Sequence, residues 1–142
     1  MIHRILAIEI LLLARPVAAE QFKVFGDVEV HYVVVNTLFL QPEVTARYGV
    51  VRSSDRAIVN LSVLGHDGVA LSGTVAGASI NLLSQRTPLE FLTVREGDAI
   101  YYLAPIRFTD REVLRFDLTV TVPDRAPMRF EFQQPMYVES NR

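Results

Sequence analysis

Leu114-Arg115-Phe116-Asp117-Leu118-Thr119-Val120-Thr121-Val122 alternates apolar and polar residues without a break. A strict period of two predicts a strand with one face buried and one face wet, the pattern of an antiparallel sheet that packs on one side. Arg115 and Asp117 are therefore expected on the wet face, Phe116 and Leu118 in a core. Working outward, the same signals recur along the chain. Met128, Phe130 and Phe132 line the inside of a last strand after the Pro123–Pro127 turn. Ala99 to Phe108 reads as a strand carrying Pro105, which predicts a sheet edge or a bend there. Leu89 to Glu96 reads as the strand before it, turned by Gly97-Asp98.

Further back, Ala57 to Leu64 places Ile58, Asn60, Ser62 and Leu64 on one face and Ala57, Val59, Leu61 and Val63 on the other. Gly65-His66-Asp67-Gly68 follows as a turn. The next strand runs to about Leu83, with Ala76, Ala78, Ile80 and Leu82 expected inside; such small residues suggest close approach of another backbone. Phe22 to Asn36 reads as one long strand interrupted by a bulge or bend at Gly26-Asp27, with Glu29, His31, Val33 and Val35 sharing a face. Gln41-Pro42-Glu43 then starts one short helical turn, Pro at its first position and an acid where the helix dipole favours one. About seven short antiparallel strands with one helical turn predict an all-β, two-sheet, immunoglobulin-like sandwich. A closed soluble barrel is the alternative.

The first 19 residues read as an export signal: a basic start at His3-Arg4, an apolar run from Ile5 to Leu13, and a small-residue cleavage site at Val17-Ala18-Ala19. That run is too short to cross a hydrocarbon core, which takes about 20 helical residues, so no membrane span is expected after cleavage. Cleavage after Ala19 leaves residues 20–142 as a single domain. An exported chain with no cysteine excludes disulfides, thiolate metal sites and a cysteine nucleophile, and favours a bacterial periplasm. With two of the 14 basic and one of the 16 acidic side chains in the leader, the rest carries a net charge near −3. Nucleic acid, which needs a basic footprint, is not an expected partner.

The wording of several blocks is distinctive: Glu20-Gln21-Phe22, Val30-His31-Tyr32, Phe39-Leu40-Gln41-Pro42-Glu43-Val44, Arg52-Ser53, Asn81-Leu82-Leu83, Leu89-Glu90-Phe91, Glu96-Gly97-Asp98-Ala99-Ile100-Tyr101-Tyr102 and Phe132-Gln133. On these the chain resembles the small exported proteins of Gram-negative bacteria grouped as domain of unknown function 4426. The resemblance implies a periplasmic sandwich and assigns no catalytic role to any residue.

Candidate chemistry is sparse. No G-x-S-x-G elbow is present, since Gly77-Ala78-Ser79-Ile80-Asn81 fails at its last position. His31 and His66 are the only histidines beyond the leader, and their spacing matches no metal-ligand motif. No phosphate-cradling loop or dinucleotide fingerprint is legible, so no cofactor is expected. Asn60-Leu61-Ser62 matches a glycosylation sequon, which is read as empty in a bacterial chain. The candidate binding residues are Phe39, Leu40, Gln41 and Glu43, taken as a loop at one end of the sandwich, together with His31 and Tyr101. The resulting expectation is a non-enzymatic binding module for an unknown envelope protein or ligand. Its alternative is a glycan or ester hydrolase using His31 with a carboxylate; Glu29 shares its strand face, and Glu90, Glu96 and Asp98 are a separate source of a carboxylate pair for glycoside chemistry.

Overall fold

Gly26 decides where the first strand stops. It adopts φ +62, a left-handed conformation that glycine reaches without a steric penalty. Gly26-Asp27 thereby closes a tight hairpin between β1 (Gln21–Phe25) and β2 (Val28–Asn36), with Phe25 opposite Val28. The long strand expected over this stretch is thus two antiparallel strands. The computed structural model describes residues 20–139; the expected leader, with its cleavage site, lies outside them.

Seven more strands follow: β3 (Arg56–Leu64), β4 (Thr74–Ile80), β5 (Arg86–Pro88), β6 (Leu92–Glu96), β7 (Ala99–Arg107), β8 (Val113–Thr121) and β9 (Met128–Pro135). They form a five-stranded sheet in the order β1-β2-β3-β7-β6 and a four-stranded sheet in the order β5-β4-β8-β9, antiparallel throughout. The two-sheet, immunoglobulin-like sandwich is what the alternation in β8 predicts, with nine strands where the sequence suggested about seven. Of Leu89 to Glu96, expected as one strand, only Leu92–Glu96 is strand, as β6. Leu89 and Phe91 pack on the core as the chain crosses from β5 in the four-stranded sheet to β6 in the five-stranded one. Pro105 sits beyond Leu103, the last β7 residue that β6 pairs, so its missing N–H faces a local edge.

The main core lies between the sheets. Val30, Tyr32, Val59, Leu61, Tyr102, Phe116, Leu118 and Val120 are buried there, and Tyr32 and Phe116 each stack on Phe132. Phe116 and Leu118 face inward as the alternation requires. On β4 the expected faces are reversed. Ala76 and Ala78 lie opposite Thr119 and Asp117 on the outer face, while Val75 and Gly77 lie opposite the inward-facing Val120 and Leu118. The close approach expected of this strand is real but falls at Gly77, where a Cβ would meet the Asp117 carbonyl oxygen at 2.2 Å. Leu82, expected inside, is exposed.

A second core covers part of the outer face of the five-stranded sheet. After β2, a 3-10 turn (Thr37–Phe39) and a helix, α1 (Pro42–Arg47), fold back against Val33, Val35, Ile58, Val94, Tyr101 and Leu103. Asn36 caps the 3-10 turn by accepting from the Leu38 N–H at 2.9 Å. Arg52 donates to the Leu38 and Leu40 carbonyls at 2.9 and 3.1 Å, pinning the turn. At the sheet's edge, Lys23 on β1 pairs with inward-facing Val30, an inward charge of the kind that discourages pairing with another chain. No described helix is long and apolar enough to cross a membrane.

Candidate functional site

β2, β3 and β7 lie side by side, so their outward residues converge on one face. His31 is paired with Ser62, Val33 with Asn60, and Asn60 with Leu103, two residues from Tyr101. α1 and the 3-10 turn roof one half of this face. The other half, around His31, is flanked by β1 and by Glu20.

His31 is largely buried, and carboxylates meet both sides of its ring. Nδ1 lies 2.8 Å from a Glu20 oxygen and Nε2 lies 2.9 Å from a Glu29 oxygen. Phe22, opposite His31 on β1, stacks on the imidazole with ring centroids 5.2 Å apart. The hydrogen bond to Glu20 raises the imidazole pKa above 6.5, burial opposes the rise, and Glu29 reinforces it. Both nitrogens can donate only in the protonated ring, so the arrangement favours the imidazolium.

Beside it stand two polar atoms of a different kind. Tyr101, 1% exposed, and Asn60, 6% exposed, have a hydroxyl and an Oδ1 with no hydrogen-bond partner among the described residues. Burial pushes the Tyr101 phenol pKa far up, so the hydroxyl remains a donor at any physiological pH. Both residues line a crevice with Glu20, His31 and Ser62, whose enclosed part has room for about 10 Å³, close to one water molecule. Asn60 also lines a neighbouring apolar crevice between α1 and the sheet, whose enclosed part likewise has room for about 10 Å³. Leu40, Val44, Tyr48 and Leu103 form its walls. At the rim, Tyr48 donates to Glu96 at 2.5 Å, and Arg47 lies 3.7 Å from the same carboxylate.

The candidate residues named from sequence fall into place as follows. Leu40 and Tyr101 are buried in the second core, and Phe39 packs against it. The Phe39–Glu43 segment therefore lies over the outer face of a sheet, a correction to its expected place at the end of the sandwich. Gln41 and Glu43 are exposed, at the start of α1. His31 and Tyr101 line one crevice. Glu96, suggested for a carboxylate pair, is engaged with Tyr48, while Glu20 and Glu29, the latter already expected on the face of His31, meet the imidazole. Sequence reasoning passed over Asn60 and Ser62 as site residues. Their signal was present: two polar residues share the outward face of β3 with Ile58 and Leu64, and every residue from Ala57 to Leu64 is buried. The sequon at Asn60 is inaccessible in the folded chain for the same reason. His66 lies exposed in its turn, away from this site.

Among the described residues no group of three or more His, Cys, Asp or Glu side chains is placed to hold a metal ion. Comparison with known proteins gives the following. The sequence profile of the DUF4426 family, a domain of unknown function, matches residues 22–139. A crystal structure of a DUF4426 family protein from Pseudomonas aeruginosa PAO1 is 35% identical, superimposes with a TM-score of 0.78, and covers 85% of this chain and 97% of its own. A copper-bound variant of FetP from uropathogenic Escherichia coli strain F11 is 9% identical with a TM-score of 0.61, covering 84% of this chain and 95% of its own. FetP as isolated, expressed recombinantly in the periplasm of E. coli, is 12% identical with a TM-score of 0.59, covering 87% and 97%. The FetP likeness is one of fold. No curated protein matches the chain.

Proposed function

We propose a function from one premise: this chain belongs to the DUF4426 family, a domain of unknown function, and its site must be read from its own side chains. The reading is a periplasmic binding module, a single domain over residues 20–142. It takes its ligand, or a side chain of an envelope partner, on the outer face of the five-stranded sheet. The observation that carries it is the pair of unpartnered, almost fully buried polar atoms, Tyr101 Oη and Asn60 Oδ1, beside His31. Buried polar groups are nearly always paired, because leaving one unpaired costs about 1–3 kcal/mol. Two at one crevice suit a partner group that accepts from the phenol and donates to the amide. Gln41 and Glu43, exposed where α1 begins, would extend the contact, and Pro42 holds them in shape.

The periplasmic location is supported by the export signal read at residues 1–19 and by the fold shared with FetP. Copper is not carried over from FetP, since the described residues do not assemble a ligand set of three or more His, Cys, Asp or Glu side chains. A hydrolase using His31 as a general base fits less well. That role needs the neutral ring, and Glu20 and Glu29 favour the charged one.

Cross-linking in the periplasm followed by capture of the tagged chain tests the reading. Gln41→Ala combined with Glu43→Ala should keep the melting temperature of the parent and lose captured species. Tyr101→Phe should do the same. Retention of every captured species by both folded variants would place recognition elsewhere.

A further inference from the structure

The strand order fixes which loops share an end of the sandwich. Asn36, Arg56, Ile80, Arg107, Val113 and Pro135 all stand at one end, so residues 51–55, 81–85, 108–112 and 136–139 cluster there. Backbone bonds tie three of these together: Phe108 N–H donates to the Asp55 carbonyl at 3.1 Å, and Glu139 N–H to that of Ser54 at 3.3 Å. Among the described residues, five of the nine exposed large hydrophobic side chains lie at this end: Val51, Leu82, Leu83, Tyr137 and Val138.

Leu82 and Leu83 are the extreme case, 81% and 80% exposed and adjacent. They ride on a turn that is built to hold them out. Asn81 Oδ1 accepts from the N–H groups of Leu83 and Gln85 at 3.0 and 2.9 Å, Asn81 Nδ2 donates to Gln85 Oε1 at 2.6 Å, and Ser84 takes φ +62. An Asn side chain folded back on its own loop in this way fixes the turn before any contact is made. Scattered exposed leucines need no explanation, whereas a fixed tip presenting two in a row does.

The charges at this end run against the rest of the molecule. Arg52, Arg86, Arg107, Arg111 and Arg115 are exposed, Arg52 also bonded to the Leu38 and Leu40 carbonyls and Arg86 to Asp117, while Asp110 is the one fully exposed acid among the loops named. Asp110 accepts from Val138 N–H at 2.9 Å, and half-buried Glu112 from Thr109 N–H at 3.2 Å, so both serve the loops. The opposite end carries exposed Asp27, Asp67, Asp98 and Asp124, with Arg125 paired to Asp27. A chain of net negative charge thus presents one end that is apolar at its tip and ringed by arginines.

We infer that this end docks peripherally on an anionic phospholipid bilayer. Leu82 and Leu83 enter the boundary between headgroups and acyl chains, Tyr137 sits at headgroup level, and the arginines meet lipid phosphates. The arginines come from five different positions around the tip, which matches a sheet of phosphates better than a single acidic partner segment. This surface is separate from the crevice at Tyr101, so either reading can fail without the other.

Flotation with lipid vesicles tests it, using the chain from Glu20 onward, which contains every strand and both cores. The chain should float with vesicles of phosphatidylcholine and phosphatidylglycerol, not with phosphatidylcholine alone, and added salt should release it. Leu82→Ser with Leu83→Ser, both at solvent-exposed positions, should weaken flotation by about tenfold or more. Arg107→Gln with Arg115→Gln should also weaken it, by about fivefold per arginine at low salt. No flotation with anionic vesicles, equal flotation with neutral ones, or unchanged flotation of the leucine variant would each overturn the inference.

Discussion

Asp117 and Tyr101 occupy comparable places, one on the outer face of each sheet, each buried beside charged or polar neighbours. Asp117 is 5% exposed, yet its carboxylate is fully engaged. Arg129 donates to both oxygens at 3.1 and 2.9 Å, and Arg86 reaches it at 3.3 Å. Tyr101 and Asn60 present polar atoms that no described residue meets. The same fold closes a polar centre over the four-stranded sheet and leaves one open over the five-stranded sheet. Where only stability is at stake, long arginine side chains can lie over a carboxylate and cover its surroundings. The open centre lies under a helical roof, beside a crevice, where a partner can supply the missing bonds.

The largest effect expected from this contrast is at Asp117. Asp117→Ala removes charge-assisted hydrogen bonds, but the arginine head groups can return to water, so the loss should be about 1–2 kcal/mol. Thr119→Ala, on the same face of β8 and half-buried, should stay within about 0.5 kcal/mol. Urea denaturation of the two variants measures the difference. Equal small losses would mean that Asp117 is no more than a surface residue and that the contrast is empty.

That contrast was only half legible in the sequence. The alternation in β8 was enough to place Phe116 and Leu118 inside, and the run of about seven short strands to suggest a two-sheet sandwich. It could not show that Asp117, on the wet side, would be covered, because the covering groups, Arg86 and Arg129, come from β5 and β9. The faces of β4 were misread because its small residues look alike on either side, and pairing with β8 decides the register. The start of β6 at Leu92 and not Leu89 leaves no local mark, since a chain that crosses between sheets keeps its apolar pattern. At the site, His31 and Tyr101 stood out by residue type. Asn60 did not, because its burial depends on a roof built from a helix 13 or more residues away in sequence.

A smaller effect separates the two centres by pH. Arg129 foremost, with Arg86, holds the Asp117 pKa below 3.8 against the opposing effect of burial. Its stabilisation is therefore present above pH 3.8 and is lost as pH falls through the lowered folded value. His31 runs the other way. Its folded pKa is raised above 6.5 by Glu20 and Glu29, so its contribution is complete below pH 6.5 and fades as pH rises through the folded value. Melting temperatures between about pH 5 and pH 8 should decline on the alkaline side, and His31→Gln should flatten that decline. A decline that persists in His31→Gln would assign it to another group.

The smallest effect is the sharpest test of the open centre, and neighbouring tyrosines provide its control. The Tyr102 hydroxyl accepts from Gly73 N–H at 2.9 Å and donates to the Leu71 carbonyl at 3.2 Å, tying the segment between β3 and β4 to the inter-sheet core. Tyr102→Phe strips two backbone groups of their partner and should cost about 1 kcal/mol. The Tyr101 hydroxyl lies just as deep but has no such duty. Tyr101→Phe removes a buried donor that the fold does not use, so stability should stay within about 0.5 kcal/mol of the parent or rise slightly. The two substitutions delete the same atom from adjacent residues of one strand, which cancels differences in volume and strand propensity. If Tyr101→Phe costs as much as Tyr102→Phe, its hydroxyl is already satisfied within the folded protein, and the crevice has no open valence to offer a ligand. If it is neutral, the hydroxyl is held in the core for something other than the fold.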